Sequence, residues 1–168
     1  MLTRRDLIIK WGAYALAALA LSFLFALLLR DAELLGARLF LPPVLVAAVA
    51  SLEDGRFAAL FGLSCGLVCD LTAAGTFPCL YTLAFTLAGL AGAALAGRVL
   101  QQGVPCAVAV TVLTFALADA MNVLWLALRA HAPFGAMLSL ALRETLVSCL
   151  LLIPVYPVMR RLQRRFSL

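Results

Sequence analysis

An uninterrupted apolar run, WGAYALAALALSFLFALLL at 11–29, constrains the fold more than any other feature of this sequence. A helix of that length crosses the ~30 Å hydrocarbon core of a bilayer. Comparable runs follow along the chain, and of its 168 residues 65% are hydrophobic and only 12% are charged. A water-soluble domain of this size cannot bury so much apolar surface. The sequence therefore predicts an all-α integral membrane protein.

The apolar runs and the short polar segments between them predict a single domain over 1–168, a bundle of six transmembrane helices joined by short loops. The first run follows basic residues as a signal peptide does, but it is too long for one, so we expect a retained span. A Pro-Pro pair at 42–43 is expected to kink or break the second span. Five spans are the alternative, if the second only dips into the membrane or the third does not cross. The predicted spans cover approximately 11–29, 34–52, 57–71, 79–97, 104–128 and 136–158, and the sixth is interrupted by Arg143-Glu144, Pro154 and Pro157.

Basic residues are distributed unevenly between the two sides of this predicted bundle. With six spans both termini share one side, and that side carries Arg4, Arg5, Lys10, Arg56, Arg98, Arg160, Arg161, Arg164 and Arg165. The other side carries Arg30, Arg38 and Arg129. Since Lys and Arg accumulate on the cytoplasmic side, both termini are predicted to be cytoplasmic, next to anionic membrane lipids. A nucleic-acid partner is not expected, because no soluble basic surface is present.

Small residues recur at helical spacing in the third and fourth predicted spans. Gly62 and Gly66 form a GxxxG pattern, and Gly89 and Gly92 belong to a ladder of small residues in the next span. Such residues let helix backbones approach closely in lipid. We favour packing of these two spans against each other, and a homodimer or a docked partner is the alternative.

Ionisable residues at membrane depth cost free energy, so each is expected to have a structural or functional role. Asp70 lies where the third span ends, and we expect it to cap backbone donors of the turn at 72–76 rather than to do chemistry. The remaining candidates are expected in the outer half of the bundle, where they predict a polar pocket. Asp119 and Arg143 are at depths that permit an ion pair. These pocket candidates are Asp119, Asn122, Trp125, Arg143 and Glu144.

Four interpretations of this cluster are open: charge pairing that fixes helix register, a small-ligand or lipid-headgroup pocket, a docking surface for a partner's transmembrane helix, and catalysis. No catalytic motif is present, so we expect no enzyme activity and no catalytic residue. His131 is expected to be a solvated loop residue. The cysteines at 65, 69, 79, 106 and 149 are expected to be packing residues, and neither a metal site nor a cofactor is predicted.

The segment FAALFGLSCGLVCDLTAAGTFPCLYTLAFTLAGLAG at 57–92 resembles the rod shape-determining protein MreD family of bacteria. That family shows a G-x-x-x-G-L-x-x-D pattern, a small polar turn, and a helix that opens with a Leu-Tyr-like pair and ends near a basic residue. Here the pattern is met by Gly62, Gly66, Leu67, Asp70, Gly75, Leu80, Tyr81 and Arg98. The motif covers about 40 residues, and the wider layout of the chain also agrees.

This resemblance implies a non-enzymatic role in the bacterial inner membrane, in the machinery of cell elongation. MreD-like proteins bind the bitopic MreC protein and work with MreB, RodA and penicillin-binding-protein synthases of peptidoglycan. The resemblance also implies a fold similar to the membrane substrate-binding components of energy-coupling-factor vitamin transporters. The alternative function is therefore such a solute-binding subunit, with a pocket lined by the outer polar residues.

Overall fold

Helices make up nearly all of the described chain. The computed structural model describes residues 4–28, 33–34, 37–72, 79–98, 103–129 and 134–166. Two-residue strands β1 (Glu33–Leu34) and β2 (Ala37–Arg38) pair antiparallel, with Glu33 opposite Arg38. The helices are α1 (Arg4–Leu28), α2 (Leu41–Ala50), α3 (Gly55–Thr72), α4 (Leu80–Arg98), α5 (Val104–Arg129), α6 (Phe134–Cys149) and α7 (Leu152–Phe166).

Four of these helices are long and apolar enough to cross a membrane: the segments Ile8–Leu28, Gly55–Thr72, Leu80–Gly97 and Val104–Trp125. A fifth candidate is the pair α6 and α7, which is bent by 52° at the break between them. The protein is thus all-helical in architecture, with four to five apolar helices that could span a membrane.

The second predicted span differs from the structure. Instead of a helix over 34–52, the chain forms the short strand pair and then α2, whose 10 residues extend only ~15 Å. Pro42 and Pro43 lie in the first turn of α2, where the missing N–H groups cost nothing, so they begin the helix rather than kink it. α2 is therefore too short to be a spanning helix.

The sixth predicted span is divided into two helices, but the break lies near only one of the three positions predicted to interrupt it. Arg143 and Glu144 lie within α6 without interrupting it, and the helix breaks after Cys149. Pro154 follows the break by a few residues, and Pro157 lies inside α7. Because Pro154 has no N–H for the carbonyl of residue 150 and its ring crowds that carbonyl, α6 cannot continue unchanged into α7.

α2 forms the centre of the bundle. Nine of its ten residues are buried, and it contacts each of the other six helices of the described chain. Leu45 packs in the same core cluster as Phe85 of α4, Phe115 of α5 and Met159 of α7. A helix that is apolar on every side is stable only when other elements surround it, and α2 meets that condition.

One end of the bundle gathers the beginning of α1, the turn between α2 and α3, and the last turns of α7. The ammonium of Lys10 lies 2.7 Å from Glu53 Oε2, and the Tyr14 hydroxyl donates to Glu53 Oε1 at 2.8 Å. The side-chain amide of Gln163 donates to the carbonyl of Leu52. We call this the basic end because it carries Lys10, Arg56, Arg160, Arg161, Arg164 and Arg165.

α1 lies at the edge of the bundle and is held mainly near the basic end. Tyr14 is buried, and Leu21 and Phe25 continue the same face into the core cluster. Most other side chains of α1 are exposed; Leu16, for example, retains 72% of its accessible surface. The contacts of Lys10 and Tyr14 with Glu53 therefore anchor a helix that is otherwise largely free of protein neighbours.

Lys10→Met should lower the stability of the protein in detergent by about 3 kcal/mol, because it leaves the buried carboxylate of Glu53 without its cation. Lys10→Met combined with Glu53→Gln should lose less than the two single variants together, since the double variant contains no uncompensated charge and retains an acceptor for Tyr14. Apparent melting temperatures of the four proteins measure this coupling. Additive losses would show that the ion pair does not anchor α1.

Candidate functional site

The glycines of the motif lie where the backbones of α3 and α4 approach most closely. A Cβ added at Gly66 would lie 2.5 Å from Thr82 Cα, and one at Gly62 would collide with the carbonyl of Phe85. From the other side, a Cβ at Gly89 would lie 2.5 Å from the carbonyl oxygen of Ala58. The two antiparallel helices thus interlock through glycines of both, as small residues allow in lipid.

Gly92 lies one turn after Gly89 on the same side of α4, but it contacts different helices. A Cβ at this position would lie 2.5 Å from Val110 Cγ1 of α5 and 3.1 Å from Ala50 Cβ of α2. Together with Gly62, Gly66 and Gly89, it is occupied by packing within the chain. A homodimer would therefore have to use other surfaces than these glycines.

Asp70 joins the end of α3 to the beginning of α4. Its Oδ1 accepts the backbone N–H of Tyr81 at 3.0 Å, and its Oδ2 accepts the N–H of Thr82 at 2.9 Å and the Thr82 hydroxyl at 2.6 Å. These N–H groups belong to the first turn of α4, which has no partners for them within the helix. Asp70 therefore acts as a capping residue supplied by a neighbouring helix.

The described donors to Asp70 lie in α4, where the sequence did not predict them. Donors in the turn at 72–76 stay a prediction, because residues 73–76 lie outside the described residues. The predicted motif residue Gly75 lies outside the described residues. Cys79, directly before α4, has a φ of 68°, in the left-handed region that non-glycine residues rarely adopt, so the chain enters α4 through a strained residue next to the Asp70 contacts.

Tyr81 links this junction to the predicted pocket residues. Its ring centroid lies 5.7 Å from that of Phe40 and 5.6 Å from that of Phe85. Asn122, Asp119 and Glu144 lie close enough to its hydroxyl to interact with it. We call Tyr81, Asp119, Asn122 and Glu144 the polar cluster. Sequence reasoning missed that Tyr81 belongs to it, because Tyr81 lies on a different helix from the others.

A groove between α5 and α6 opens beside Asp119. It has a volume of about 560 Å³ and an almost entirely apolar lining. Asp119 is half-buried in its wall, and Glu144 is near enough for the two carboxylates to repel each other. The lining includes Ala116, Asp119 and Ala120 of α5 with Leu138, Leu142 and Thr145 of α6.

The permitted ion pair between Asp119 and Arg143 is not formed. Arg143 is exposed, and among the described residues the ion pair within 4.0 Å is that of Lys10 with Glu53. On α6 the groove is lined by residues 138, 141, 142 and 145, which share one face at helical spacing. Arg143 lies off that face, so similar depth did not bring the two charges together.

The remaining predicted residues take no part in the groove lining. Trp125 is half-buried on α5. Cys69 is buried in the core cluster and Cys65 packs against it, which is a packing environment. His131 lies outside the described residues, as do 73–78 of the turn after α3.

A second groove between α4 and α5 was not predicted from the sequence. It measures about 700 Å³, is lined by apolar side chains, and shares Val112 and Ala116 with the α5–α6 groove. Ala91 and Ala94 line it from α4, and Ala109 lines it from α5. The two grooves form one continuous surface across α4, α5 and α6, which we call the lateral groove.

Comparisons of the chain with family models, curated proteins and solved structures return no match.

Gly62→Ala should lower the apparent melting temperature in detergent and correspond to a loss of about 1–3 kcal/mol, because the new Cβ forces α3 away from the Phe85 carbonyl. Gly97→Ala is the matched control, since nothing lies within 4 Å of a Cβ there. The control should be neutral or slightly stabilising, as alanine favours helix. Equal melting temperatures for the two variants would contradict the close contact.

Asp70→Leu should reduce folded yield and stability by about 1–2 kcal/mol, because it leaves N–H groups of α4 without an acceptor. Asp70→Asn should lose less, since one oxygen remains to accept from the backbone. Thr82→Val removes only the hydroxyl donor and should be the mildest of the three. Size-exclusion profiles and melting temperatures rank them. If Asn proves as damaging as Leu in a folded protein, the charge itself is required, and capping is not the main role of Asp70.

Proposed function

We propose that this protein is a non-enzymatic membrane scaffold of the bacterial rod-shape machinery. In this proposal its lateral groove holds the transmembrane helix of an MreC-like bitopic partner. The observation that carries the proposal is the lateral groove itself: an apolar surface across three helices with one half-buried carboxylate, Asp119, in its wall. The residues of the family resemblance support it, since Gly62, Gly66 and Asp70 form one packed junction.

The lining of the lateral groove suits a helix as its occupant. Ala109 and Ala116 lie seven residues apart on one face of α5, with Ala91 and Ala94 facing them from α4. Small side chains let a second backbone come close, which is how helices associate where lipid provides no hydrophobic drive. A helix seated there would exchange lipid contacts for van der Waals contacts along much of its length.

Asp119 gives this docking site a chemical preference. Within the described residues no cation pairs with it, and Glu144 adds negative charge beside it. A carboxylate at membrane depth is stabilised by a donor at the same depth. The partner helix should therefore present a basic, hydroxyl or amide side chain toward Asp119.

We further propose six passes of the chain through the inner membrane, with both termini in the cytoplasm. Lys10 near the beginning of α1 and Gln163 near the end of α7 contact the same turn at Leu52 and Glu53, which supports a common side for them. The strand pair and α2 would together form the second pass. The basic residues of this end support a cytoplasmic position. MreB, RodA and a penicillin-binding protein would be reached through the MreC-like partner.

A second candidate function is that of a solute-binding subunit of an energy-coupling-factor-type transporter. The observation in its favour is the polar cluster, where Asn122 lies close to Tyr81 and the Tyr81 ring lies 5.7 Å from that of Phe40. Half-buried polar and aromatic groups of this kind can bind a small molecule. The groove beside them opens laterally, however, which suits a helix better than an enclosed solute.

Ala116→Phe should abolish co-purification with an MreC-like protein from the same organism, because the ring fills the part common to both halves of the lateral groove. Ala116 is exposed, so the fold should tolerate the change. Ala20→Phe, at an exposed position of α1, is the matched control and should keep the partner bound. Pull-down from detergent, with the amount of captured partner quantified, is the measurement.

Asp119→Leu tests the polar anchor in the same pull-down and should reduce capture by about tenfold, the worth of one charge-assisted hydrogen bond.

Equal capture by wild type, Ala116→Phe and Ala20→Phe would exclude the lateral groove as the docking site. No capture by wild type, together with tight binding of a vitamin-sized solute that Asn122→Leu removes, would instead support the transporter subunit.

A further inference from the structure

A separate groove lies between α5 and α7 at the basic end. It has a volume of about 360 Å³, and its lining is apolar along most of its length. Val104 and Val108 contribute from α5, and Leu152 and Ile153 contribute from α7. Arg160, about 10 Å further along α7 than Ile153, lines the same groove. We call it the α5–α7 groove; an apolar channel with a cation at one end is the shape of a lipid site.

Arg160 is held in place without a counter-ion. Its Cζ lies 6.0 Å from the centroid of the Tyr156 ring, a cation–π arrangement that orients the guanidinium. In the described part of the chain no carboxylate lies within ion-pair distance of it. Arg161, Arg164 and Arg165 nearby carry the same sign. The charge of Arg160 is therefore available to an anion from outside the protein.

Two further groups at this groove can donate hydrogen bonds. α5 begins at Val104, and its first turn offers the N–H groups of Val104 and Cys106, because Pro105 has none; the first N–H groups of a helix have no partner within it and attract anions. Tyr156 retains only 4% of its accessible surface, and in the described residues its hydroxyl is buried without a hydrogen-bond partner. A buried hydroxyl in this state is costly, so an oxygen of a bound molecule would stabilise it.

From these observations we infer that the α5–α7 groove binds one anionic phospholipid of the leaflet at the basic end. The phosphate lies between Arg160 and the beginning of α5, and an acyl chain lies along Val108, Leu152 and Ile153. Basic pockets between membrane helices on the cytoplasmic side recognise such headgroups. Free phosphate would leave the apolar lining unused, and a partner helix would leave Arg160 without an anion.

The test compares two neighbouring arginines in purified protein. Phosphatidylglycerol and phosphatidylcholine with matched acyl chains are titrated separately into the full chain in a neutral detergent, and native mass spectrometry counts the bound lipids. Arg160→Gln should weaken phosphatidylglycerol binding about tenfold, as expected for the loss of one charge-assisted hydrogen bond. Arg161→Gln removes the same charge from an exposed position outside the groove and should weaken it by less than about twofold.

Val108→Trp fills the apolar part of the groove and should also reduce the number of bound lipids, independently of charge. Equal losses in Arg160→Gln and Arg161→Gln would overturn the site in favour of general attraction to a basic surface. Equal binding of the two lipids by wild type, or unchanged binding in Val108→Trp, would overturn it as well. The measurement needs no partner protein, so its outcome is independent of the proposed scaffold function.

Discussion

The close approach of α3 and α4 is the contact on which the rest of the bundle depends. Because Gly62, Gly66 and Gly89 carry no side chains, the two backbones touch, and Asp70 then satisfies N–H groups at the beginning of α4. Both effects are strong in a membrane, where an unpaired N–H finds no water and apolar surface gives helices no reason to associate. Gly92, one turn after Gly89, then allows α4 to pack closely against α2 and α5.

Local features of this junction could be predicted from the sequence because their cause is local. The spacing of Gly62 and Gly66 defines one helix face, and a carboxylate at the end of a helix suggests capping. That Tyr81 and Thr82 are among the capped donors could not be predicted, since they reach Asp70 only after the chain reverses. The same limit applied to α2: a run of apolar residues looks alike whether lipid or protein surrounds it, and Pro42 fits either a kink or a first turn.

The polar residues of α5 and α6 show which features of a site can be predicted from residue spacing alone. Depth is estimated by counting residues along a helix, and Asp119 and Glu144, both among the predicted pocket residues, are close enough to interact. Rotation about the helix axis depends on which face the neighbours bury. α6 turns residues 138, 141, 142 and 145 to the groove, and this leaves Arg143 exposed and unpaired with Asp119. No pattern within α6 alone would have revealed that rotation.

The two proposed binding surfaces carry opposite charge and lie at different depths. The lateral groove offers a carboxylate within the apolar part of the bundle, whereas the α5–α7 groove offers a guanidinium at the basic end. An anionic lipid would be repelled by Asp119 and Glu144, and a basic or amide-bearing helix would gain nothing beside Arg160. α5 lines both grooves, with Val112 and Ala116 facing one and Val104 and Val108 facing the other. Since no residue lines both the lateral groove and the α5–α7 groove, a lipid and a partner helix would not compete for any side chain.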